Sequence, residues 1–143
     1  MDTVIVGVDA SDASRRATEF AATRAAQLGL SLVLVHVIPW SPYSFSTPGE
    51  NERRGARKKE EIEAASTQVI APLLELLAER DVEVETVVRH GDPVDLLVYL
   101  VGDLSALQVV VGRTGDSRVR QAIFGSIPGH LVQVSPVPVT VVP

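Results

Sequence analysis

The sequence contains no cysteine, few aromatic residues and no long apolar run. The absence of cysteine excludes disulfides, thiolate catalysis, iron–sulfur clusters and zinc sites built on thiolates. Aromatic residues make up only 4% of the chain, which disfavours a broad platform for stacking nucleic-acid bases. No apolar run approaches the roughly 18 residues that a membrane span needs, and residues 1–10 lack the basic region of a signal peptide. We therefore expect a cytoplasmic protein without membrane insertion.

Basic residues are also scarce relative to acidic ones. Thirteen Lys and Arg stand against 18 Asp and Glu, which gives a net charge of −5 and an isoelectric point near 5.1. A protein that binds nucleic acid through counterion release needs a positively charged surface. The charge balance therefore argues against nucleic acid as a partner.

Small apolar residues, by contrast, are plentiful and fall into alternating strand-like and helix-like segments. Apolar residues make up 45% of the 143 residues, enough for one compact domain with its own core. Continuous β-branched runs predict buried strands, and apolar residues spaced three or four apart predict helices. The predicted strands are 3–8, 30–39, 82–88, 107–112 and 137–142, with a helix between each pair.

Local signals mark the helix ends and one irregularity. Ser11 or Asp12 can cap the first helix, and Asp92 followed by Pro93 is typical of a helix start. The long helix after the second strand keeps its apolar stripe through Pro72, which predicts a kink rather than two helices. The last helix is predicted to turn three apolar residues inward: Ile127, Leu131 and Val134.

Strands separated by helices imply parallel pairing with right-handed crossovers. The polar face of strand 3 and the proline in strand 5 favour edge positions, so the predicted strand order is 3-2-1-4-5. The chain is thus predicted to be a single three-layer α/β domain over 1–143. Its five-stranded parallel sheet carries helices on both faces, a Rossmann-like arrangement.

Ligands of open parallel sheets bind beyond the strand carboxyl ends, where the winding reverses. In the predicted order this point lies between strands 1 and 4. The residues at these two strand ends are candidate ligand contacts: Gly7, Val8, Asp9, Val111 and Gly112. Because Ser11 and Asp12 are better placed to cap the first helix, we expect Asp9 to be available for a ligand.

A glycine-rich segment follows the fourth strand. Gly112, Gly115 and Gly125 span it, and Ser126 opens the last helix. Glycine permits positive φ and a close backbone approach to an anion, and a helix N-terminus attracts phosphate. Arg118 can add a charge-assisted hydrogen bond from the loop. The segment therefore predicts a phosphate site.

The spacing Gly112-x2-Gly115-x9-Gly125-Ser126 resembles the ATP-binding motif of universal stress proteins, Gly-x2-Gly-x9-Gly-Ser/Thr. The stretches VIVGVDAS, HVIP, GDP and PVTVVP resemble the same family, so the resemblance covers essentially the whole chain. One departure is that the family often has Ser or Thr after the first glycine, followed by a basic residue or His. This chain has Arg113 and Thr114 there.

The resemblance implies a ligand and a role for several residues. Asp9 and Val37 would hold an adenine, and the backbone around Gly112 would lie near the ribose. Four further residues would take the phosphates: Gly115, Gly125, Ser126 and Ile127. ATP or another adenine nucleotide is the implied cofactor, and Mg²⁺ bound through the nucleotide is compatible with it.

The resemblance and the sequence both predict a homodimer through the last strand. Universal stress proteins often pair in this way. Residues 137–142 carry no charge that would blunt an exposed sheet edge. Two copies meeting about a two-fold axis would close the assembly.

The sequence offers no catalytic residues. GSIPG is not the nucleophile elbow G-x-S-x-G, which disfavours a triad of Ser126, a histidine and Asp9. The P-loop and the G-x-G-x-x-G fingerprint are absent, and the three histidines predict no metal site. We expect at most slow ATP hydrolysis, with function exerted in stress response or regulation through a nucleotide-dependent state or through partners. The alternative is a structural or partner-binding module of the same fold that binds no nucleotide.

Overall fold

The computed structural model describes residues 2–39, 48–113 and 126–143. Within them, parallel strands form one sheet in the order β3-β2-β1-β4-β5. The strands are β1 (Thr3–Gly7), β2 (Ser31–Ile38), β3 (Val84–His90), β4 (Ala106–Gly112) and β5 (Val139–Val142). The predicted strand order and the parallel α/β architecture are confirmed.

Helices alternate with the strands along the chain. They are α1 (Asp12–Leu28), α2 (Pro48–Ala65), α3 (Ala71–Leu77), α4 (Pro93–Asp103) and α5 (Ser126–Val134). None of the helices in the described residues combines the length and the apolar character needed to cross a bilayer.

The helices form an apolar core on each face of the sheet. Successive strand side chains point to opposite faces, so the uninterrupted apolar run of β1 contributes to both cores. Val4 and Val6 pack with α1 and α3, whereas Ile5 packs with α4 and α5. All three side chains are fully buried, as the β-branched run predicts for a central strand.

The first helix lies close to the sheet because its inner face is small. Four alanines on this face are fully buried: Ala17, Ala21, Ala22 and Ala25. Ser11 caps the helix, since its side chain accepts the Ser14 N–H at 3.1 Å. Gly29 ends the helix in the left-handed conformation, with φ at 69° and its N–H donating to the Ala25 carbonyl.

The long helical segment after β2 is not one regular α-helix. α2 runs into a π-helical turn (Ser66–Ile70), and α3 follows directly. Pro72 lies in the first turn of α3, where it removes one N–H from the helical ladder. The side chains of Ser66 and Thr67 also bond to carbonyls one turn earlier, which tends to bend a helix. The irregularity predicted at Pro72 is therefore a π turn lying just before the proline.

The last helix departs from the prediction at its end. Leu131 is fully buried, and Ile127 packs partly buried in the same core. Val134 is 46% exposed, so the prediction that it faces inward is wrong. α5 packs against α4 and against β5, which is an edge strand of the sheet.

Two glycines provide a matched test of backbone conformation. A Cβ at Gly29 or at Gly102 would meet no atom within 4 Å, so substitution changes only the conformational preference. Gly29→Ala should lower the free energy of unfolding by about 1–2 kcal/mol, because alanine is strained at this positive φ. Gly102→Ala, inside α4, should raise it by about 0.5–1 kcal/mol. Urea denaturation followed by circular dichroism measures both changes in the free energy of unfolding. Changes of the same sign would contradict the left-handed conformation of Gly29 or the helical conformation of Gly102.

Candidate functional site

The central strand is shorter than its neighbours at its carboxyl end. Gly7, the last residue of β1, pairs with Val35 of β2 and Val111 of β4. β2 continues to Ile38 beside β3, and β4 continues to Gly112 beside β5. The winding reverses at this strand, which is where parallel sheets bind ligands. We call the region beyond the end of β1, between these longer neighbours, the switch-point notch; it is bounded by Val8, Asp9, residues 36–38 and residues 112–113.

The Asp9 carboxylate is hydrogen-bonded to the start of α1. Its Oδ1 accepts the Ser11 N–H at 2.8 Å and the Ser14 hydroxyl at 2.9 Å. The Asp9 N–H in turn donates to Ser14 Oγ at 2.8 Å. We expected Asp9 to be available because Ser11 caps the helix. Ser11 does cap it, but one oxygen of Asp9 shapes the same turn, because the chain must leave the sheet within four residues.

The backbone N–H and carbonyl of Val37 point toward the notch. The Val8 N–H donates to the Val35 carbonyl at 2.8 Å, so the backbone groups of Val35 point toward β1. Backbone groups of alternate residues in a strand point the same way, and those of Val37 therefore point past the end of β1. Its side chain packs partly buried with the α4 and α5 core. Val37 thus offers one donor and one acceptor at the notch.

His36 connects the end of β1 to β2. Its Nδ1 lies 2.7 Å from the Val8 carbonyl oxygen. A carbonyl only accepts, so Nδ1 carries the proton in this hydrogen bond. The sequence alone does not identify Val8 as the partner of His36, because the register of β1 against β2 decides which strand-end side chain reaches Val8.

Gly112 is required by packing against α1. A Cβ at this position would lie 2.8 Å from the Ala13 Cβ and 3.0 Å from the Ala13 carbonyl carbon and oxygen. Its φ is not in the positive range that glycine alone favours. Glycine is needed at this position for space rather than for positive φ. The close approach that it permits in the described residues is to α1, and its predicted contact with a ligand stays a prediction.

Gly7 is also closely surrounded, although by softer groups. A Cβ there would lie 3.2 Å from Val111 Cγ1 and 3.3 Å from Leu97 Cδ1. These are side-chain atoms that can shift by a few tenths of an ångström. Gly7 is partly buried at the base of the notch, next to Val111 and Leu97.

The other predicted site residues fall into distinct groups. The side chains of Val8 and Val111 are buried in the two cores, so only their backbones can meet a ligand. Ser126 is the first residue of α5, and Ile127 follows it. Three predicted residues lie outside the described part of the chain, and their roles stay predictions: Gly115, Arg118 and Gly125.

The second strand-end histidine belongs to the fold. His90, the last residue of β3, is 7% exposed in its side chain, and its Nε2 lies 2.8 Å from Glu61 Oε2 on α2. His130 is exposed on α5. Over residues 2–39, 48–113 and 126–143, no three His, Asp or Glu side chains converge as metal ligands would.

Comparison with known proteins gives a consistent result along the chain. A model of the universal stress protein family matches residues 1–143. Universal stress protein Rv1636 of Mycobacterium tuberculosis is 31% identical, over 98% of this chain and 94% of that protein. Other mycobacterial universal stress proteins are 28% identical, and this chain spans about half of their length, 47%.

Solved structures show the same architecture. UspA from Lactobacillus plantarum is similar with a TM-score of 0.82 at 21% identity, over 99% of this chain and 97% of that chain. A universal stress protein crystallised in complex with cAMP has a TM-score of 0.63 at 27% identity, over 99% and 96% of the two chains. Both structures support the fold.

The contact between Gly112 and Ala13 can be tested without any ligand. Gly112→Ala should lower the free energy of unfolding by about 1–3 kcal/mol, because the added methyl overpacks the joint of α1 and β4. Ala13→Gly in the same chain should restore part of the loss, since it removes the nearest clashing atom. Urea denaturation of the two single variants and the double variant gives the coupling. Strict additivity would show that the two residues do not contact each other.

Proposed function

The chain belongs to the universal stress protein family, and we propose that it binds an adenine nucleotide in the switch-point notch. The observation that carries the proposal is the pairing of groups across the notch. On one side stands the Asp9 carboxylate, and on the other the backbone N–H and C=O of Val37. The relative solved with cAMP, an adenine nucleotide, supports this ligand class.

These groups match the hydrogen-bonding edge of adenine. A carboxylate accepts from an exocyclic amino group, which adenine carries at C6. The N–H of Val37 can donate to the ring nitrogen next to that amino group. The carbonyl of Val37 can accept from the amino group itself. Few aromatic side chains are available for stacking, so base recognition would depend on such edge contacts and on the apolar flank of Val37.

We assign the phosphates to the segment that follows β4. Gly112 leads into it, and the N-terminus of α5 closes it with Ser126 and Ile127. Gly115, Gly125 and Arg118 complete the proposed site. ATP is the ligand we favour, and Mg²⁺ would enter bound to its phosphates rather than to a cluster of protein carboxylates.

The proposed role is regulatory and cytoplasmic rather than catalytic. A nucleotide that bridges β1, β2 and the start of α5 would link parts of the chain that are distant in sequence. Partners would then read the nucleotide-bound state, and hydrolysis would be slow. The alternative, a nucleotide-free interaction module, predicts that freshly purified protein releases no nucleotide on denaturation. Mass spectrometry of the released small molecules separates the two.

We also propose that the protein forms a homodimer through β5. The Val142 carbonyl accepts from the Arg113 N–H and the Pro138 carbonyl from the Val109 N–H, so these residues face β4. By alternation, the backbone groups of Val139 and Val141 face the open edge. Val141 is 38% exposed, and α5 adds two exposed valines near this edge, Val132 and Val134. An apolar edge with outward-facing backbone groups suits antiparallel pairing about a two-fold axis.

Replacing Asp9 should separate base binding from phosphate binding. Asp9→Ala should weaken ATP binding about tenfold or more, because a charge-assisted hydrogen bond contributes roughly 1.5–3 kcal/mol. Binding of inorganic triphosphate should stay unchanged. Asp9→Asn is the matched control for the fold, since it keeps one oxygen for the Ser11 and Ser14 bonds and should still lose ATP affinity. Isothermal titration calorimetry measures the affinity of the wild type and of both variants for each ligand. Equal losses of affinity for ATP and for triphosphate would contradict the assignment of Asp9 to the base.

A charge on the last strand should break the proposed dimer. Val141→Lys places an ammonium group on the exposed edge and should yield a monomer, because desolvating the charge opposes pairing. Leu107→Lys is the matched control, since Leu107 is a 48% exposed residue of β4 that lies before the stretch paired with β5. Light scattering at high micromolar concentration should show a dimer for the wild type and for Leu107→Lys. A monomeric wild type would exclude this interface.

A further inference from the structure

The outer edge of β3 lies at the end of the sheet opposite to β5. β3 pairs with β2 on one side, and no other strand of the described residues adjoins it. The Leu32 N–H donates to the Glu83 carbonyl at 2.8 Å, so the backbone groups of odd-numbered residues here face β2. By alternation, the backbone groups of Thr86 and Val88 face outward. This edge therefore presents hydrogen-bond donors and acceptors to a further strand.

Two opposite charges stand on this edge, evenly spaced about a valine. Glu85, Val87 and Arg89 share one face of β3, because alternate residues of a strand point the same way. The two charged residues are exposed, whereas Val87 is partly buried and packs with the α4 and α5 core. Glu85 and Arg89 lie roughly 13 Å apart along the strand, too far to pair with each other. Neither forms an ion pair in the described part of the chain, so both charges are available to a partner.

The spacing of these charges is complementary to itself. When two β3 strands pair antiparallel about a two-fold axis at Val87, Glu85 of each copy lies opposite Arg89 of the other. The outward backbone groups fit this register, because Thr86 of one copy then exchanges hydrogen bonds with Val88 of the other. The charged residues fall at the pairs without hydrogen bonds, where Cα atoms are about 4.5 Å apart and facing side chains lie closest.

We propose that the β3 edge is a contact surface for a second copy of this chain, selected by its charges. Charged residues on an edge strand normally discourage pairing with other chains. An arbitrary strand leaves Glu85 and Arg89 opposite unmatched groups, whereas a second copy satisfies both. The contact is weak, because exposed ion pairs contribute little and salt screens them. It forms at about millimolar protein, above the range in which the proposed β5 dimer is tested, and it joins such dimers edge to edge.

The test exploits the absence of cysteine from the chain. Val87→Cys places a thiol at the two-fold axis, where a Cα separation of about 4.5 Å suits a disulfide. In a buffer of reduced and oxidised glutathione at low salt, this variant should form a disulfide-linked dimer, which a non-reducing gel detects. Glu83→Cys is the matched control, because it lies on the same strand, is exposed and keeps both Glu85 and Arg89. Its two copies would be roughly 27 Å apart and should not cross-link.

Charge reversal then tests the register. Arg89→Glu, added to the Val87→Cys chain, places glutamates opposite each other and should slow cross-linking about three- to tenfold. Adding Glu85→Arg as well exchanges the two charges and should restore the original rate. Cross-linking should also persist when Val141→Lys is added, because that residue lies at the opposite edge of the sheet. The result is therefore independent of the proposed β5 dimer.

Equal cross-linking of Val87→Cys and Glu83→Cys would indicate random collision and would overturn the proposal. A charge-reversed chain that cross-links as fast as its parent would overturn it too. If circular dichroism shows that Val87→Cys does not fold, the cysteine-free variants Glu85→Arg and Arg89→Glu decide. Each repels its own copies, but the two variants present opposite charges to each other, so their equimolar mixture should associate more than either alone in light scattering at millimolar concentration. No gain on mixing would overturn the proposal.

Discussion

The hydrogen bonds between Asp9, Ser11 and Ser14 determine the form of the carboxyl edge of the sheet. They turn the chain out of β1 and into α1 within a few residues, so the central strand stops short of β2 and β4. The first turn of α1 then comes against the end of β4, where only Gly112 leaves room for Ala13. The notch and the direction of the Val37 backbone groups toward it both follow from this early exit. A longer β1 would occupy this region by pairing further residues with β2 and β4.

The architecture could be predicted from the sequence because each strand signal is local. The β-branched run of β1, the polar face of β3 and Pro138 before β5 suffice to order the sheet. The helix caps at Ser11 and Asp92 follow from equally local chemistry. What failed depends on contacts between distant segments. The packing of Gly112 on Ala13 and the bond from His36 to Val8 need the register of the strands. The exposure of Val134 needs the position of α5 at the sheet edge.

The proposed site would use an unusual balance of charge for a phosphate ligand. The protein carries a net charge of −5, so long-range attraction does not favour a polyanion. Affinity would have to come from short-range contacts in the notch and from oriented backbone N–H groups at the start of α5. Such contacts depend on geometry more than on ionic strength. The proposed site would differ in this respect from those of nucleic-acid binders, in which surface cations supply most of the affinity.

The central place of β1 affects how the protein emerges from the ribosome. β1 is the earliest strand of the sequence, yet one of its two neighbours is β4. β2 can pair with β1 soon after Ile38 is synthesised. The edge of β1 that pairs with β4 stays open until Gly112 has been added. At roughly 5–20 residues per second, that interval lasts on the order of several seconds. During it the nascent chain exposes an apolar strand edge with unpaired backbone groups, with which another chain can pair.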